Sequence, residues 1–480
     1  MKIFSKLILF AILSTVLSED ICNIFCDNRD PTQANGPIRE PVEATTSSRR
    51  IVLRVSDQDN MAYGLITDGQ PGDEIWIDRT FNGGLAWTNE THTGGTLIPN
   101  NSTQASTPLF NIDDPSTNRI GALRACASLA GQANTQTCTP WARSTVNAEN
   151  KLDAAVTAMM MYYEAWRGLW KTVGWWNGAN DMTCLIDYQI LTGSRLYEFS
   201  INNTFELNKG LNEFGGYNFT SDSIDDSLWW GLAWVKAYDL TKDEKYLNMA
   251  AVIADYCYLF HDDVCGGGIW WSDRKQYKNA IPNEQYIKLS AQLHNRIPND
   301  TKYLEQSVNL WRWFRNIGMI NQENLINDGL HECRNNNGET WTYNQGVILG
   351  GLAELYLATG NQTYVDEAKK IADAVLRSPV LNDEYGVLWE PCFESEPDCG
   401  PNAPCFKGIF IRNLGELDRI LDDKPYTPYI LKQADSIYMK NRNALDQYGL
   451  FWSGPLDFPD ASRQQSAVDT LLAAEMTSRK

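Results

Sequence analysis

The sequence predicts a mainly α-helical protein, an (α/α)6 barrel with a small β-rich N-terminal module. Three observations carry this. From residue 146 onward, apolar residues recur at helical spacing between short Gly, Asn and Pro turns. Within that region a short polar turn closed by a tyrosine recurs, as expected of repeated helical hairpins. Before residue 146 the pattern switches to short apolar or alternating runs bounded by Gly, Asp and Pro, the signature of strands.

Taken in order, residues 1–18 read as a signal peptide. Lys2 and Lys6 form its charged start, Leu7 to Leu17 its apolar stretch, and Val16-Leu-Ser18 a small-residue cleavage region. The apolar run is too short to span a bilayer comfortably, which favours secretion over a membrane anchor. Residues 19–50 are polar and Pro-rich without periodicity and read as an extended arm. Residues 51–145 read as the β-rich module, with Ile51-Val-Leu-Arg-Val55 and Glu74-Ile-Trp-Ile-Asp-Arg79 as strands. Thr80-Phe-Asn-Gly-Gly-Leu-Ala-Trp87 resembles a degenerate Asp-box, which implies a hairpin. For Trp76 and Trp87, core burial is favoured over glycan contact, because small β modules also need aromatic cores.

Residues 146–480 hold about twelve candidate helices, near 148–171, 177–192, 194–203, 224–240, 243–260, 279–296, 301–319, 343–359, 361–378, 406–422, 425–444 and 463–477. The repeat consists of Leu191-Thr-Gly-Ser-Arg-Leu-Tyr197, Leu240-Thr-Lys-Asp-Glu-Lys-Tyr246, Ile297-Pro-Asn-Asp-Thr-Lys-Tyr303 and Ala358-Thr-Gly-Asn-Gln-Thr-Tyr364. Its tyrosines are 49, 57 and 61 residues apart, one helical hairpin plus a variable loop. Six hairpins close into a toroid with a cleft at one end. An open solenoid is the alternative, but unequal steps and long aromatic loops favour closure, with the loops of one face building a site.

The formal charge is −19, and −21 once Lys2 and Lys6 are removed. That argues against nucleic acid or anionic lipid as partner, because phosphate binding needs basic patches. The C-terminus, Leu471-Leu-Ala-Ala-Glu-Met-Thr-Ser-Arg-Lys480, lacks the hydrophobic tail of a lipid-anchor signal, so no membrane anchor is expected. Sequons at Asn89, Asn100, Asn101, Asn202, Asn218, Asn299 and Asn361 fit a glycosylated secreted protein. The eleven cysteines are an odd number; most should pair in an oxidising compartment, leaving at least one free thiol. Local pairs are Cys22 with Cys26, Cys126 with Cys138, and two among Cys392, Cys399 and Cys405, with Cys184, Cys257, Cys265 and Cys333 left over. No metal site is expected: the cysteines form no paired C-x-x-C set, and His92, His261, His294 and His331 are scattered.

The chemistry centres on Asp225 and Asp226, followed at once by Trp229 and Trp230. Carboxylate pairs cleave glycosidic bonds in acid, base or nucleophile roles. Indole faces supply flat apolar platforms for sugar rings. One of Ser221, Asp222 and Ser223 should cap the helix near 224, which leaves the doublet in its first turn. Neighbouring side chains there point about 100° apart, and both reach a cleft only where the helix end faces it. Their carboxyl groups would lie roughly 5–6 Å apart, close to the ~5–5.5 Å of retaining glycosidases. The helix dipole favours one as an ionised nucleophile, and like-charge repulsion suits the other as proton donor. The opposing reading is structural, since Asp is common in first helical turns and Trp in cores.

Aromatic and polar clusters recur at other loop–helix junctions: Gly174-Trp-Trp-Asn-Gly-Ala-Asn180, Cys265-Gly-Gly-Gly-Ile-Trp-Trp271, Lys278-Asn-Ala-Ile-Pro-Asn-Glu284 and Thr340-Trp-Thr-Tyr-Asn-Gln-Gly346. In a toroid such junctions converge on one mouth. The candidate substrate-binding residues are therefore Trp176, Trp230, Trp270, Trp271, Asn279, Tyr343 and Gln345, though packing accounts for each alone equally well. Glu284, Glu339 and Glu390 are rival carboxylates near aromatics.

These segments together resemble glycoside hydrolase family 76, the endo-α-1,6-mannanases. The resemblance rests on Ser223-Ile-Asp-Asp-Ser-Leu-Trp-Trp-Gly-Leu-Ala233, Cys265-Gly-Gly-Gly-Ile-Trp-Trp271, Lys278-Asn-Ala-Ile281 with Asn283-Glu284, and Trp341-Thr-Tyr-Asn-Gln-Gly346, and covers roughly residues 145 to 478. The β-rich leader, with Cys126…Cys138-Thr-Pro-Trp141, looks like an extension found in some secreted members. The resemblance implies an (α/α)6 barrel, retaining cleavage of α-1,6-linked mannan, Asp225 as nucleophile, Asp226 as acid/base, and no metal or organic cofactor. The chain departs from the family pattern just before the doublet, where members often carry aromatic or Asn residues and this chain has Asp222-Ser-Ile224. Two other readings are a cell-wall mannan transglycosidase and a glycan-binding barrel without catalysis. The missing anchor signal argues against the first, and the intact doublet against the second.

Overall fold

The computed structural model describes residues 26–85, 92–132, 136–212, 216–394 and 399–478. Residues 1–18, read as a signal peptide, and Cys22, Trp87 and Asn89 lie outside the described residues. Among the described residues, nine strands, all paired antiparallel, form two facing sheets. One joins β1 (Ile38–Thr46), β2 (Arg49–Ser56), β3 (Met61–Thr67), β6 (Ala105–Ser106) and β7 (Phe110–Asn111). The other runs β5 (His92–Leu97), β4 (Glu74–Thr80), β8 (Ala122–Ser128), β9 (Thr137–Cys138). Ile51, Leu53 and Val55 of β2 face Ile75, Ile77, Leu123 and Ala125 of the second sheet, so each strand's apolar face closes one core. Trp76 is buried and its indole donates to Asp78 Oδ1 at 2.9 Å, a core role.

Strand β1 corrects the reading of residues 19–50 as an arm. Its charged residues and Pro41 hid it. As an edge strand bonded only to β2 it tolerates the proline, and Glu40 and Glu43 pair with Arg50 on its outer face while Val42 enters the core.

Twelve α-helices follow among the described residues. Six form the inner ring: α2 (Trp175–Thr192), α4 (Ile224–Thr241), α6 (Ala280–Arg296), α8 (Thr342–Thr359), α10 (Phe406–Arg419) and α12 (Ala461–Ser478). Each packs on the next, and α12 on α2, so the ring closes as an α/α toroid. The outer helices α1 (Lys151–Met160), α3 (Glu198–Asn208), α5 (Glu244–Tyr258), α7 (Lys302–Asn316), α9 (Gln362–Arg377) and α11 (Thr427–Lys440) sit against them. The sequence explains the division. Every residue of α6 from Ala280 to Leu293 is buried, whereas α9 buries only one stripe, Tyr364, Val365, Ala368, Ile371, Ala372, Ala374 and Val375. The repeated tyrosines are buried at the starts of outer helices. Several reach back along the outer ring: Tyr197 Oη lies 3.1 Å from Thr157 Oγ1 of α1, and Tyr303 Oη donates to Asp255 of α5 at 2.9 Å.

The first candidate helix, 148–171, is cut short. It ends at Met160, and a hairpin pairs Tyr163 with Trp170 and Glu164 with Leu169. Gly168 in its turn has φ +68°, a conformation that terminates helical spacing. The β module docks on the toroid where Gln447 Nε2 donates to Gly83 O at 2.8 Å and to Tyr162 Oη at 2.9 Å. Ala122, Met161 and Leu445 close a small apolar contact beside it. Three disulfides are described: Cys126–Cys138, Cys392–Cys399 and Cys265–Cys333; Cys184, Cys257 and Cys405 are buried free thiols.

Candidate active site

The inner helices start at one end of the toroid, and their starts are tied together there. Ile224 N donates to Trp271 O at 2.8 Å, Ala280 N to Asp328 O at 2.9 Å, and Ala461 N to Thr172 Oγ1 at 3.0 Å. Trp176 Nε1 donates to Asn402 Oδ1 at 3.3 Å, joining the start of α2 to the loop before α10. This end therefore collects helix N-termini, whose free N–H groups and dipoles favour negative charge.

Asp225 and Asp226 are the second and third residues of α4, in its first turn as expected. Ser223 occupies the cap position without a side-chain cap bond. The turn is held by its surroundings: Asp273 N donates to Asp222 O at 2.9 Å, and Tyr256 Oη to Ser221 O at 2.9 Å. Gln285 Nε2 of α6 donates to Asp225 O at 3.1 Å.

Both carboxyls are half-buried, and burial raises both. Asp225 is pushed up to about 7 by burial, helped by the charge of Asp328; a hydrogen bond from the Trp271 indole and bonds from the Asp226 and Asp225 backbone N–H groups work the other way. Asp226 is pushed well above the carboxylate range by burial, then by the charges of Asp225 and Asp222. No comparable donor offsets that rise. Burial and proximity of like charges thus make the pair hold a proton, and the Trp271 indole and the backbone N–H groups favour Asp225 as the anion.

Asp328, which sequence reasoning missed, lies on the loop between α7 and α8. It accepts from Tyr277 Oη at 2.5 Å and from the Trp341 indole, and its charge acts on Asp225, Glu284 and Tyr343. No periodicity marks it. The one local signal is Gly329, where a Cβ would meet Tyr277 Oη at 2.4 Å and Asn279 Cβ at 2.7 Å, a close approach of the loop to the start of α6.

The structure brings Trp271 and Tyr343 to the doublet. Trp271 is 41 % exposed with its indole on Asp225. Tyr343 stacks on Phe406 at 3.8 Å and senses the charges of Asp328 and Asp225. Trp176 is half-buried at the start of α2, stacked on Trp229 at 5.8 Å. Asn279 caps the start of α6 with its Oδ1 unpartnered and buried. Trp270 sits one residue from Trp271, but its indole donates to Asp262 Oδ2 at 2.7 Å and its ring carries the Lys278 ammonium at 4.8 Å.

Two expectations are corrected. Trp230 is wholly buried among Trp175, Phe219 and Trp234, because one residue past Trp229 the helix has turned away from the axis into the wall. Gln345 is wholly buried and brackets Ile326, accepting from its N and donating to its O, both at 2.8 Å. The rival carboxylates separate as well. Glu390 accepts from Thr342 N at 2.9 Å and from Thr342 Oγ1, capping α8; Glu339 is exposed; Glu284 is buried with both oxygens unpartnered. Among the described residues, the one gathering of potential metal donors is Asp78, Cys126 and Cys138, and those sulfurs are joined to each other.

Residues 122–480 match the model of Glycosyl hydrolase family 76. A mannan endo-1,6-α-mannosidase of Saccharomyces cerevisiae is 26% identical over 293 residues, 56% of this chain and 64% of that protein. One from Candida albicans is 26% identical over 268 residues, 50% of this chain and 57% of that protein. The chain thus spans about three fifths of the length of these two relatives. Among solved structures, an α-1,6-mannanase of Salegentibacter superposes with a TM-score of 0.60 at 25% identity, over 68% of this chain and 98% of that one. Its inactive variant, two adjacent aspartates changed to asparagine, is solved with α-1,6-mannotriose, with the same TM-score of 0.60 and 25% identity. A family 76 glycoside hydrolase from a Bacteroides thetaiotaomicron strain, 17% identical with a TM-score of 0.58, covers 92% of this chain and 99% of its own, so the likeness in fold extends beyond the helices.

Proposed function

The chain belongs to glycosyl hydrolase family 76, and on that premise we propose that it cleaves α-1,6-mannosidic linkages within mannan chains by a retaining double displacement. The observation that carries this is geometric: two adjacent carboxyls, Asp225 and Asp226, stand in the first turn of α4 at the end where the inner helices start, with the Trp271 indole on Asp225. In the first step Asp226 gives its proton to the glycosidic oxygen while the Asp225 carboxylate attacks the anomeric carbon. The bond to the leaving sugar breaks and a glycosyl ester of Asp225 forms. In the second step Asp226, now a carboxylate, takes a proton from water as the water attacks the same carbon. The ester breaks, a free reducing end leaves, and both aspartates return to their starting states. Asp225 Oδ1 is buried without a hydrogen-bond partner.

The substrate reading draws support from the relatives named as mannan endo-1,6-α-mannosidases and from the Salegentibacter enzyme with α-1,6-mannotriose. Trp271, Tyr343, Trp176 and Asn279 are the residues we place against the sugar. We take residues 1–18 as a leader that directs secretion; three disulfides among the described residues suit an oxidising compartment. The test is incubation of the purified protein and its Asp225→Ala and Asp226→Ala variants with defined α-1,6-, α-1,2- and β-1,4-linked polysaccharides. The reading expects reducing ends from the α-1,6 polymer alone and none from either variant. Activity unchanged in a variant removes that aspartate from the mechanism.

A further inference from the structure

The hairpin that leads into α2 holds Trp166 at its turn, and 77 % of that residue is exposed. An exposed tryptophan on a mobile loop would mean little. This one is mounted rigidly. The carbonyls on both sides of it are held by side chains of α3: Ala165 O accepts from Asn203 Nδ2 at 2.7 Å and Arg167 O from Asn208 Nδ2 at 3.0 Å. Gly168 N closes the turn on Glu164 O at 2.8 Å, and a Cβ at Gly168 would stand 3.0 Å from Thr204 Cα. Beneath the turn Tyr163 packs edge-on against Trp170 at 4.9 Å and accepts from Asn203 Nδ2 at 2.9 Å. Two asparagines, a glycine and a half-buried tyrosine thus fix the backbone that carries a ring the fold itself does not bury.

The hairpin is also continuous with the mouth. Leu169 packs on Gly178 in the first turn of α2, and Thr172, two residues past the hairpin, accepts from the first N–H of α12. The sector carrying Trp166 adjoins α4 through α2 and α3. Charged residues flank Trp166 in the turn, with Arg167 Nη1 and Glu164 Oε2 paired at 3.3 Å. A flat apolar face with donors and acceptors beside it matches a neutral sugar, which offers an apolar ring face and a rim of hydroxyls.

We propose that Trp166 is a glycan-binding platform on the outer rim, which takes the neutral hexose polymer where it leaves the catalytic mouth. This rests on the reading of the protein as a mannan hydrolase. Pre-organisation is the point: a turn already braced loses little backbone freedom when a sugar stacks on the ring it carries. The platform acts on long chains and is out of reach of short ones.

The test uses the full-length protein and its Trp166→Ala and Trp166→Phe variants. Affinity electrophoresis is run on an Asp225→Asn background, so that the matrix is not cut, in gels holding α-1,6-mannan, β-1,4-mannan or a soluble glucan. Kinetics on α-1,6-mannan and on α-1,6-mannotetraose are measured with Asp225 intact. Trp166→Ala should lose retardation by α-1,6-mannan and raise KM on the polymer roughly tenfold, with tetrasaccharide turnover unchanged and Trp166→Phe keeping most of the binding. Retardation equal to the parent overturns the proposal, as does an equal loss on the tetrasaccharide, which would mark a structural role. Retardation of the parent that emerges only after Asn202→Gln would show the ring covered by the chain's own N-linked sugar, and also overturns it. Should α-1,6-mannan not be cut, loss of retardation by another of the polysaccharides in Trp166→Ala keeps the platform and removes the mannanase reading alone. If none of them retards the parent, the platform falls.

Discussion

At the scale of single residues, two neighbouring aspartates differ because their surroundings differ. Asp225 receives the Trp271 indole and feels Asp328; Asp226 has Asp225 and Asp222 beside it. The pair titrates as a unit, and the proposed mechanism takes Asp225 ionised with Asp226 protonated as the active form. The acid limb of kcat/KM should therefore fall near pH 7, the region in which Asp225 ionises. Asp328→Asn removes a negative neighbour and should move that limb to lower pH. Trp271→Phe removes a donor to the anion and should move it to higher pH. A pH–rate profile of both variants checks this, and shifts of the same sign in both would contradict the account.

The same burial has a stability consequence, with the opposite reward. The folded-state value for Asp225, about 7, lies above the ~3.9 of a free aspartate. Between those values the folded protein holds a proton that the unfolded chain has released, so stability falls as pH rises through the window. Asp225→Asn should melt at least about 2 °C higher than the parent at pH 8 and close to it at pH 4, while being inactive. Scanning calorimetry at the two pH values reads the difference. Legibility at this scale followed side-chain chemistry. That the doublet, Trp271 and Tyr343 lie together could be read because acids and aromatics cluster at the loop–helix junctions. Trp230 and Gln345 could not, because one step of 100° along a helix separates cleft from wall and letters alone do not fix that phase. Asp328 sits in a loop with no period to betray it.

At the scale of elements, the inner helices meet closely where glycine allows. A Cβ at Gly346 would stand 2.5 Å from Phe410 Cα, and one at Gly408 would stand 2.4 Å from Ser466 Cα. These contacts are backbone, so α8, α10 and α12 would have to separate. Gly346→Ala should cost about 1–3 kcal/mol or more through overpacking, and Gly210→Ala, where the added atom meets nothing and no positive φ is required, should cost far less. Chemical denaturation of the two variants compares them directly. The α8 start is capped across the fold by Glu390 rather than by its own Trp341, which forms no side-chain cap. Helix positions were legible because buried and amphipathic spacing persists for many residues. The end of α1 was missed because Tyr162, Tyr163 and Trp166 continue the apolar spacing while Gly168 and the docking on α3 turn the chain into a hairpin. Strand β1 was missed because its outer face is charged and its inner face contributes little more than Val42 to the core.

At the scale of the molecule, ring closure brings six helix starts into one mouth and makes distant loops neighbours. The disulfide Cys265–Cys333 joins two of these loops across 68 residues. It ties the Gly-rich approach to Trp271 to the loop that follows Asp328. Cys265→Ser with Cys333→Ser should destabilise the fold by about 4 kcal/mol on loop entropy and lower activity through Trp271 and Asp328; denaturant melts and turnover check both. The long-range pairing was beyond the sequence, which left both cysteines among the unassigned four, since connectivity depends on the closed ring. The tyrosine repeat did announce the closure, and its residues stitch the outer helices together. The central claim is retaining cleavage of α-1,6-mannan by Asp225 and Asp226. Its most direct test is a proton NMR time course of linear α-1,6-mannan with the parent enzyme. The account predicts that new reducing ends emerge first as the α-anomer and only later equilibrate. First release of the β-anomer, or no release at all, would contradict it.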